Sequence, residues 1–112
     1  MRPYVTLALA IAAEVSGTTA LKLADGFANP LPSAAVVVAY LASFYFLGLT
    51  LEHLPIGLVY ATWAGVGIVG TVAVGLLAFD ESLDPAAVAG LALVIAGVVV
   101  LTGFSGAYAP GH

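Results

Sequence analysis

Glu14 is the residue around which chemistry could be built. Between Pro3 and Leu21 the sequence PYVTLALAIAAEVSGTTAL has a single acidic or basic side chain, the Glu14 carboxyl, near its middle. A helix over this stretch is roughly 30 Å long at about 1.5 Å per residue, the thickness of a bilayer's hydrocarbon core. A carboxylate at that depth costs about 2.5–3.5 kcal/mol on insertion scales, and proton relays, ion pathways and ligand counter-ions are the usual reasons to keep one. A structural ion pair is the competing reading, but the only bases, Arg2 and Lys22, fall at the ends of the segment. At helical spacing, Leu7, Ala10 and Ile11 precede Glu14 on its face, and Gly17, Thr18 and Leu21 follow it. Small side chains leave volume beside the acid, and the Thr18 hydroxyl, one turn away, can donate to it. The same small residues would also let helices approach closely in lipid.

A second kind of chemistry lies in the aromatic residues. Tyr40, Ser43, Phe44 and Leu47 stand at i, i+3, i+4 and i+7 of a second helical stretch. Aromatics in membrane helices often occupy the interfacial belt, yet Phe44 and Tyr45 fall near mid-span. Packing is the plain reading of that face. Tyr60, Trp63 and Gly67 share a face of a third stretch, again deeper than a belt. Enzyme chemistry is not suggested. The two histidines, His53 and His112, sit at a loop and at the terminus, without metal-ligand spacing, and there is no nucleophile–His–acid set or phosphate loop. There are no cysteines, hence no disulfide or thiolate chemistry. No catalytic residue, metal or cofactor is expected.

The elements that must position these residues follow from composition. Of 112 residues, 62% are hydrophobic and 7% charged, too little polar surface for a soluble domain of this size, so the solvent is lipid. Two bases against six acids, a net charge of −4, argue against a nucleic-acid partner. Arg2, the apolar run and small residues at Ala12 and Ala13 imitate a signal peptide. Cleavage there would remove Glu14 from any membrane helix, and three more spans follow, so the segment is read as a first transmembrane helix. Periodicity and breakers predict helices over about 3–22, 33–51, 56–79 and 85–104, forming one all-α transmembrane domain over residues 1–112. Ser33 suits an N-cap, Pro55 a first-turn position, and Asp84 followed by Pro85 an N-cap and first helical residue. The short tail after Phe104 is expected to fray.

Glycines mark two further places. Gly65, Gly67 and Gly70 lie in one short stretch of the third helix, each costing roughly 1 kcal/mol relative to Ala in water, and read either as close packing or as a hinge. Gly90 and Gly97, seven apart on one face of an otherwise apolar fourth helix, permit close helix–helix approach and suggest an assembly helix. The charge rule for orientation is silent, because Arg2 and Lys22 lie on opposite sides of the first span. Insertion in either direction is therefore allowed.

With these residues in place, the chain resembles the small multidrug resistance family of transporters over nearly its whole length. The matching stretches are AEVSGTTALKLADGF around Glu14, Tyr40 with ASF, LPIGLVYATWAGVGIVG, and Gly90 to Gly97. The ordered set of Glu14, Lys22, Tyr60, Trp63, Gly65, Gly67, Gly90 and Gly97 carries the likeness. The resemblance implies a multi-pass protein of a prokaryotic plasma membrane, working as a homodimer of antiparallel copies in different conformations. It implies that both Glu14 carboxylates bind either protons or a cationic substrate, so that alternating access couples proton influx to drug efflux. Tyr40, Tyr60 and Trp63 match the family's substrate-contacting aromatics, Gly65 and Gly67 its kink, and Gly90 and Gly97 its dimerisation motif. Ala10, Ile11, Gly17, Thr18, Ser43, Phe44 and Leu47, on the same faces, complete the candidate substrate-binding set. Aromatic faces attract delocalised or quaternary cations, and four short helices are too few to enclose a two-sided chamber, which favours a dimer.

A guanidinium-exporting branch of the family usually has a Gly three residues before the acid and a Trp three after. Ile11 and Gly17 stand there instead, and Tyr40 is present as in the multidrug branch, so bulky aromatic or quaternary ammonium cations are expected. A guanidinium or polyamine exporter, or a paired-subunit transporter, is the alternative within the family. Outside it, a proton-ring subunit also has an intramembrane acid in a Gly/Ala-rich hairpin, but usually in a later helix and without the Tyr-x-x-Trp face. A purely structural membrane subunit leaves Glu14 unexplained.

Overall fold

The computed structural model describes residues 2–104, and the tail beyond Phe104, with His112, lies outside the described residues. Four helices and no strand are present among the described residues: α1 (Pro3–Leu23), α2 (Pro30–Leu51), α3 (Ile56–Ala78) and α4 (Pro85–Gly103). Each is long and apolar enough to cross a membrane. The chain divides into two compact units, Met1–His53 and Leu54–His112, each a pair of helices joined by a tight connection.

In the first unit, α1 and α2 pack closely. Leu7, Ala10, Ile11 and Val36 are buried, together with the polar Thr6, Ser43 and Thr50. Buried hydroxyls in an apolar interior must find partners, and these do. Thr6 Oγ1 and Thr50 Oγ1 lie 2.8 Å apart across the helix pair, so one of the two hydroxyls donates to the other while the second donates to its own helix, Thr6 to the Pro3 carbonyl or Thr50 to that of Phe46, each at 2.8 Å. Ser43 Oγ donates to the Ala10 carbonyl at 2.7 Å.

The connection between α1 and α2 passes through three successive left-handed residues, Asp25 (φ 50°), Gly26 (φ 66°) and Phe27 (φ 68°). Only Gly26 escapes the cost of about 1–2 kcal/mol that a side chain incurs in this region. Asn29 closes the turn: its backbone N–H donates to the Ala24 carbonyl at 3.1 Å and its side-chain amide to that of Leu23 at 2.9 Å. Asn29, not Ser33, is the N-cap residue of α2, and the helix begins at Pro30, three residues before the expected start at about 33. Pro30 explains the earlier start, because its fixed φ and missing N–H suit the first helical position. Ser33 lies inside the first turn, where its N–H and hydroxyl both donate to the Asn29 carbonyl, at 3.1 and 2.7 Å.

In the second unit, Pro55 precedes α3 as its N-cap residue in an extended conformation, rather than sitting within the first turn. Its carbonyl accepts the Val59 N–H at 3.0 Å, which makes it the half-in residue of the helix start. The far end of α3 closes on Gly75, whose carbonyl accepts the N–H groups of Phe79 and Glu81 at 3.1 and 3.0 Å. Asp80 turns the chain there at φ 55°. The Glu81 carboxylate lies against Gly75, in the space a Cβ there would take. Asp84 caps α4 as its residue type suggests, its Oδ1 accepting the Ala87 N–H at 2.8 Å, with Pro85 following. Such a cap is worth about 1 kcal/mol. No residue of α4 is buried. Large apolar side chains are exposed on all four helices, among them Leu9, Leu41, Leu77 and Leu93, as hydrocarbon solvent requires.

Candidate functional site

The first unit builds its polar centre around Glu14, which is half-buried on α1 and is the only acid within any of the four helices. Thr18, one turn on, donates its hydroxyl to Glu14 Oε1 at 3.2 Å. The i, i+4 spacing anticipates that contact. The next link comes from α2: the Tyr40 hydroxyl lies 2.9 Å from Thr18 Oγ1. Three polar groups on two helices thus form one chain, from the phenol through the threonine to the carboxylate.

Gly17 makes this possible. A Cβ on Gly17 would lie 2.7 and 2.8 Å from Cε1 and Cδ1 of the Tyr40 ring, and 3.3 Å from the Ala39 Cβ. The Tyr40 ring therefore fills the space a side chain at position 17 would need. Along the same interface, Ala10 is fully buried beneath Ser43, and Ile11 is 8% exposed. Within this unit Ala10, Gly17 and Ser43 are engaged in helix–helix packing. Ser43 in particular has its hydrogen on the Ala10 carbonyl. Toward the other side, Phe44 is exposed and stacks loosely on Tyr40, with ring centroids 6.5 Å apart and planes inclined by 23°. Leu47, one turn further, is half-buried.

The second unit pairs its aromatics as the spacing suggests. Tyr60 and Trp63 have ring centroids 5.9 Å apart, tilted by 46°, and Tyr60 is exposed. Two polar atoms there, Thr62 Oγ1 and Trp63 Nε1, are buried without a hydrogen-bond partner among the described residues. Gly65 and Gly67 are buried, and α3 runs unbroken through both. At Gly65 a Cβ would meet Val98 Cγ2 at 2.5 Å and Val94 Cγ1 at 3.4 Å. Gly65 is thus a close-packing position between α3 and α4. Gly90 and Gly97 differ, because a Cβ at either meets nothing within 4 Å. Their face of α4 is bare.

The Thr6–Thr50 clamp and the Gly17–Tyr40 seat do not follow from sequence reasoning. A membrane-helix threonine can satisfy itself on its own backbone, as Thr19 does at Val15, so residue type alone does not betray an interhelical bond. Among the described residues no group of His, Asp and Glu could hold a metal ion. The polar centre of the first unit is a carboxylate–hydroxyl chain that ends on the Tyr40 phenol, with the Phe44 ring beside it. Such an arrangement can hold a proton or a cation.

Comparison with known proteins bears on this geometry. The profile of the family described as Small Multidrug Resistance protein matches residues 2–94. A multidrug transporter of Pseudomonas aeruginosa is 49% identical over 112 residues, covering all of both chains. Multidrug resistance protein EbrA of Bacillus atrophaeus is 48% identical over 98 residues, 88% of this chain and 93% of its own. Quaternary ammonium compound-resistance protein QacH of Staphylococcus saprophyticus is 40% identical over 106 residues, 95% of this chain and 99% of its own. With four apolar spans, an intramembrane acid and bacterial relatives matched along their length, the chain belongs to the small multidrug resistance family and is a multi-pass protein of the prokaryotic plasma membrane.

Proposed function

We propose that this protein exports lipophilic, aromatic or quaternary ammonium cations in exchange for protons, with Glu14 as the group that holds either one. The observation that carries the reading is the Glu14 carboxylate itself, the one acid within the four helices, half-buried and given a donor by Thr18. Retaining a charge at such depth is costly. A site that exchanges one cation for another makes use of it, because the carboxylate is neutralised at each stage of the cycle by a proton or by substrate. The names of the relatives, multidrug and quaternary ammonium compound resistance, support the class of cargo. So do the exposed rings of Phe44 and Tyr60 and the tilted Tyr60–Trp63 pair, since aromatic faces bind such cations with about 0.5–2 kcal/mol each. The Tyr40 ring on Gly17 leaves no room for the tryptophan expected of a guanidinium exporter, which further supports bulky cargo.

The working unit is an antiparallel homodimer that alternates its access between the two sides, with Gly65 and Gly67 as the points where α3 bends differently in the two copies. The bare Gly90–Gly97 face of α4 and the absence of any buried residue on that helix support its use in assembly. The test is transport by purified protein in liposomes under an imposed pH gradient, with tetraphenylphosphonium as the cation. Glu14→Gln is expected to give a folded dimer that neither binds the cation nor moves it with the gradient. Proton-driven transport by that variant would refute the assignment.

A further inference from the structure

We propose that Thr18 and Tyr40 form a hydrogen-bond relay on Glu14 whose direction reverses when the carboxylate takes up a proton, making Tyr40 part of the proton–cation switch. The proposal rests on the reading of Glu14 as the proton- and cation-holding group. Its basis is a count of hydrogens. Thr18 has one O–H, and it is committed to Glu14 Oε1 at 3.2 Å. The 2.9 Å contact between Thr18 and Tyr40 must then be filled by the phenol, which donates into a lone pair on the threonine oxygen. With Glu14 ionised the order is Tyr40 to Thr18 to Glu14, two hydrogens in two bonds. The phenol oxygen keeps its lone pairs free on its outer side.

A carboxylate only accepts, whereas a carboxylic acid can donate. A proton arriving on Oε1 turns that oxygen into a donor facing Thr18, and the old order would place two hydrogens in one contact. Rotation of two hydroxyls resolves this. Glu14 then donates to Thr18, Thr18 donates to the phenol oxygen, and the Tyr40 O–H swings outward. Three hydrogens now serve two internal bonds and one outward donor, so the incoming proton is conserved and no bond to carbon changes. In the ionised state a cation beside Tyr40 meets lone pairs and a ring enriched by hydrogen-bond donation. In the protonated state it meets the positive end of an O–H. The relay thus carries the mutual exclusion of proton and cation from the carboxylate out to an aromatic side chain. Thr18 is the positioning residue of this device, and Gly17 leaves the space that the ring occupies.

Few other groups of this unit can disturb it. From α2, the element packed on α1, Tyr40 is the titratable side chain at this level, while Tyr45 is exposed and Glu52 and His53 follow the end of that helix. On α1, Arg2 and Tyr4 lie at its start and Lys22 at its end, with Asp25 just beyond it.

The experiment is a pH titration of the full chain in lipid bilayers, with 13C at the tyrosine Cζ and at the glutamate carboxyl. Tyr40→Phe and Glu14→Gln assign the two signals, and Tyr45 serves as internal control. The Tyr40 signal is expected to move with the same midpoint as the Glu14 carboxyl, and to return when tetraphenylphosphonium displaces the proton. In Thr18→Val the Glu14 carboxyl still titrates but the Tyr40 movement is lost, and Thr18→Ser restores it. A Tyr40 signal that stays flat while Glu14 titrates would overturn the relay and leave the transport reading standing. So would an unchanged Tyr40 movement in Thr18→Val, which would mean direct action through space. A Glu14 carboxyl that never titrates would overturn both.

Discussion

Gly17→Ala is the smallest change that tests the site's geometry. The added methyl would lie 2.7 Å from Cε1 and 2.8 Å from Cδ1 of Tyr40, and 3.3 Å from the Ala39 Cβ. Ordinary carbon–carbon contact is at about 3.5–4.0 Å, so the ring must retreat by roughly 0.8 Å or more, or α1 and α2 must part by a similar amount. The hydroxyl lies further from the pivot than the clashing atoms and moves at least as far. Its 2.9 Å contact with Thr18 opens beyond the range of about 2.5–3.0 Å of an O–H···O bond. Losing one such bond costs about 0.5–1.5 kcal/mol, and overpacking adds about 1–3 kcal/mol. The better helix propensity of alanine offsets roughly 1 kcal/mol of this. Affinity for tetraphenylphosphonium is expected to fall by roughly tenfold, the equivalent of about 1.4 kcal/mol, measured by titration calorimetry on detergent-purified protein. Gly48→Ala, at a position of α2 where a Cβ meets nothing within 4 Å, is the control and should bind as the parent does. Equal affinity in both variants would show that the seat of Tyr40 does not govern the site.

Two further outcomes are expected. Trp63→Ala and Tyr60→Ala should each weaken binding of aromatic cations by about 0.5–2 kcal/mol while changing guanidinium binding less, since a small hydrated ion gains little from a ring face. Equal losses for both ligands, measured by competition, would assign these side chains to packing. For topology, a reporter at the C-terminus should find the unaltered chain in both orientations, because Arg2 and Lys22 balance. Two lysines inserted after Phe104 should place all copies with that end in the cytoplasm and lower drug resistance. Co-expression with a copy carrying two lysines in the α3–α4 connection should restore resistance. A chain found in one orientation only, yet fully active, would refute the antiparallel dimer and leave the Glu14 chemistry untouched.

Composition and spacing alone determine much of this protein. Lipid as the solvent, four apolar helices and an isolated Glu14 are local properties, because in hydrocarbon every backbone group must be satisfied within its own helix. The Thr18–Glu14 bond is local too, since residues four apart share a helix face, and Asp84 announces the start of α4 by its own side chain. Helix starts at prolines were less legible, as Asn29 and Pro55 illustrate, because a proline without an N–H can sit on either side of the first turn. What lies across from a face is not local at all. The Tyr40 hydroxyl on Thr18, its ring on Gly17, Ser43 on the Ala10 carbonyl and Val98 against Gly65 each depend on the crossing and register of two helices. Periodicity names the residues on a face but not their partners, because sliding one helix by a turn preserves the pattern and changes every contact. Glu14 was therefore readable as a charge that needs a purpose. Only the packing of α1 on α2 decided which groups surround it.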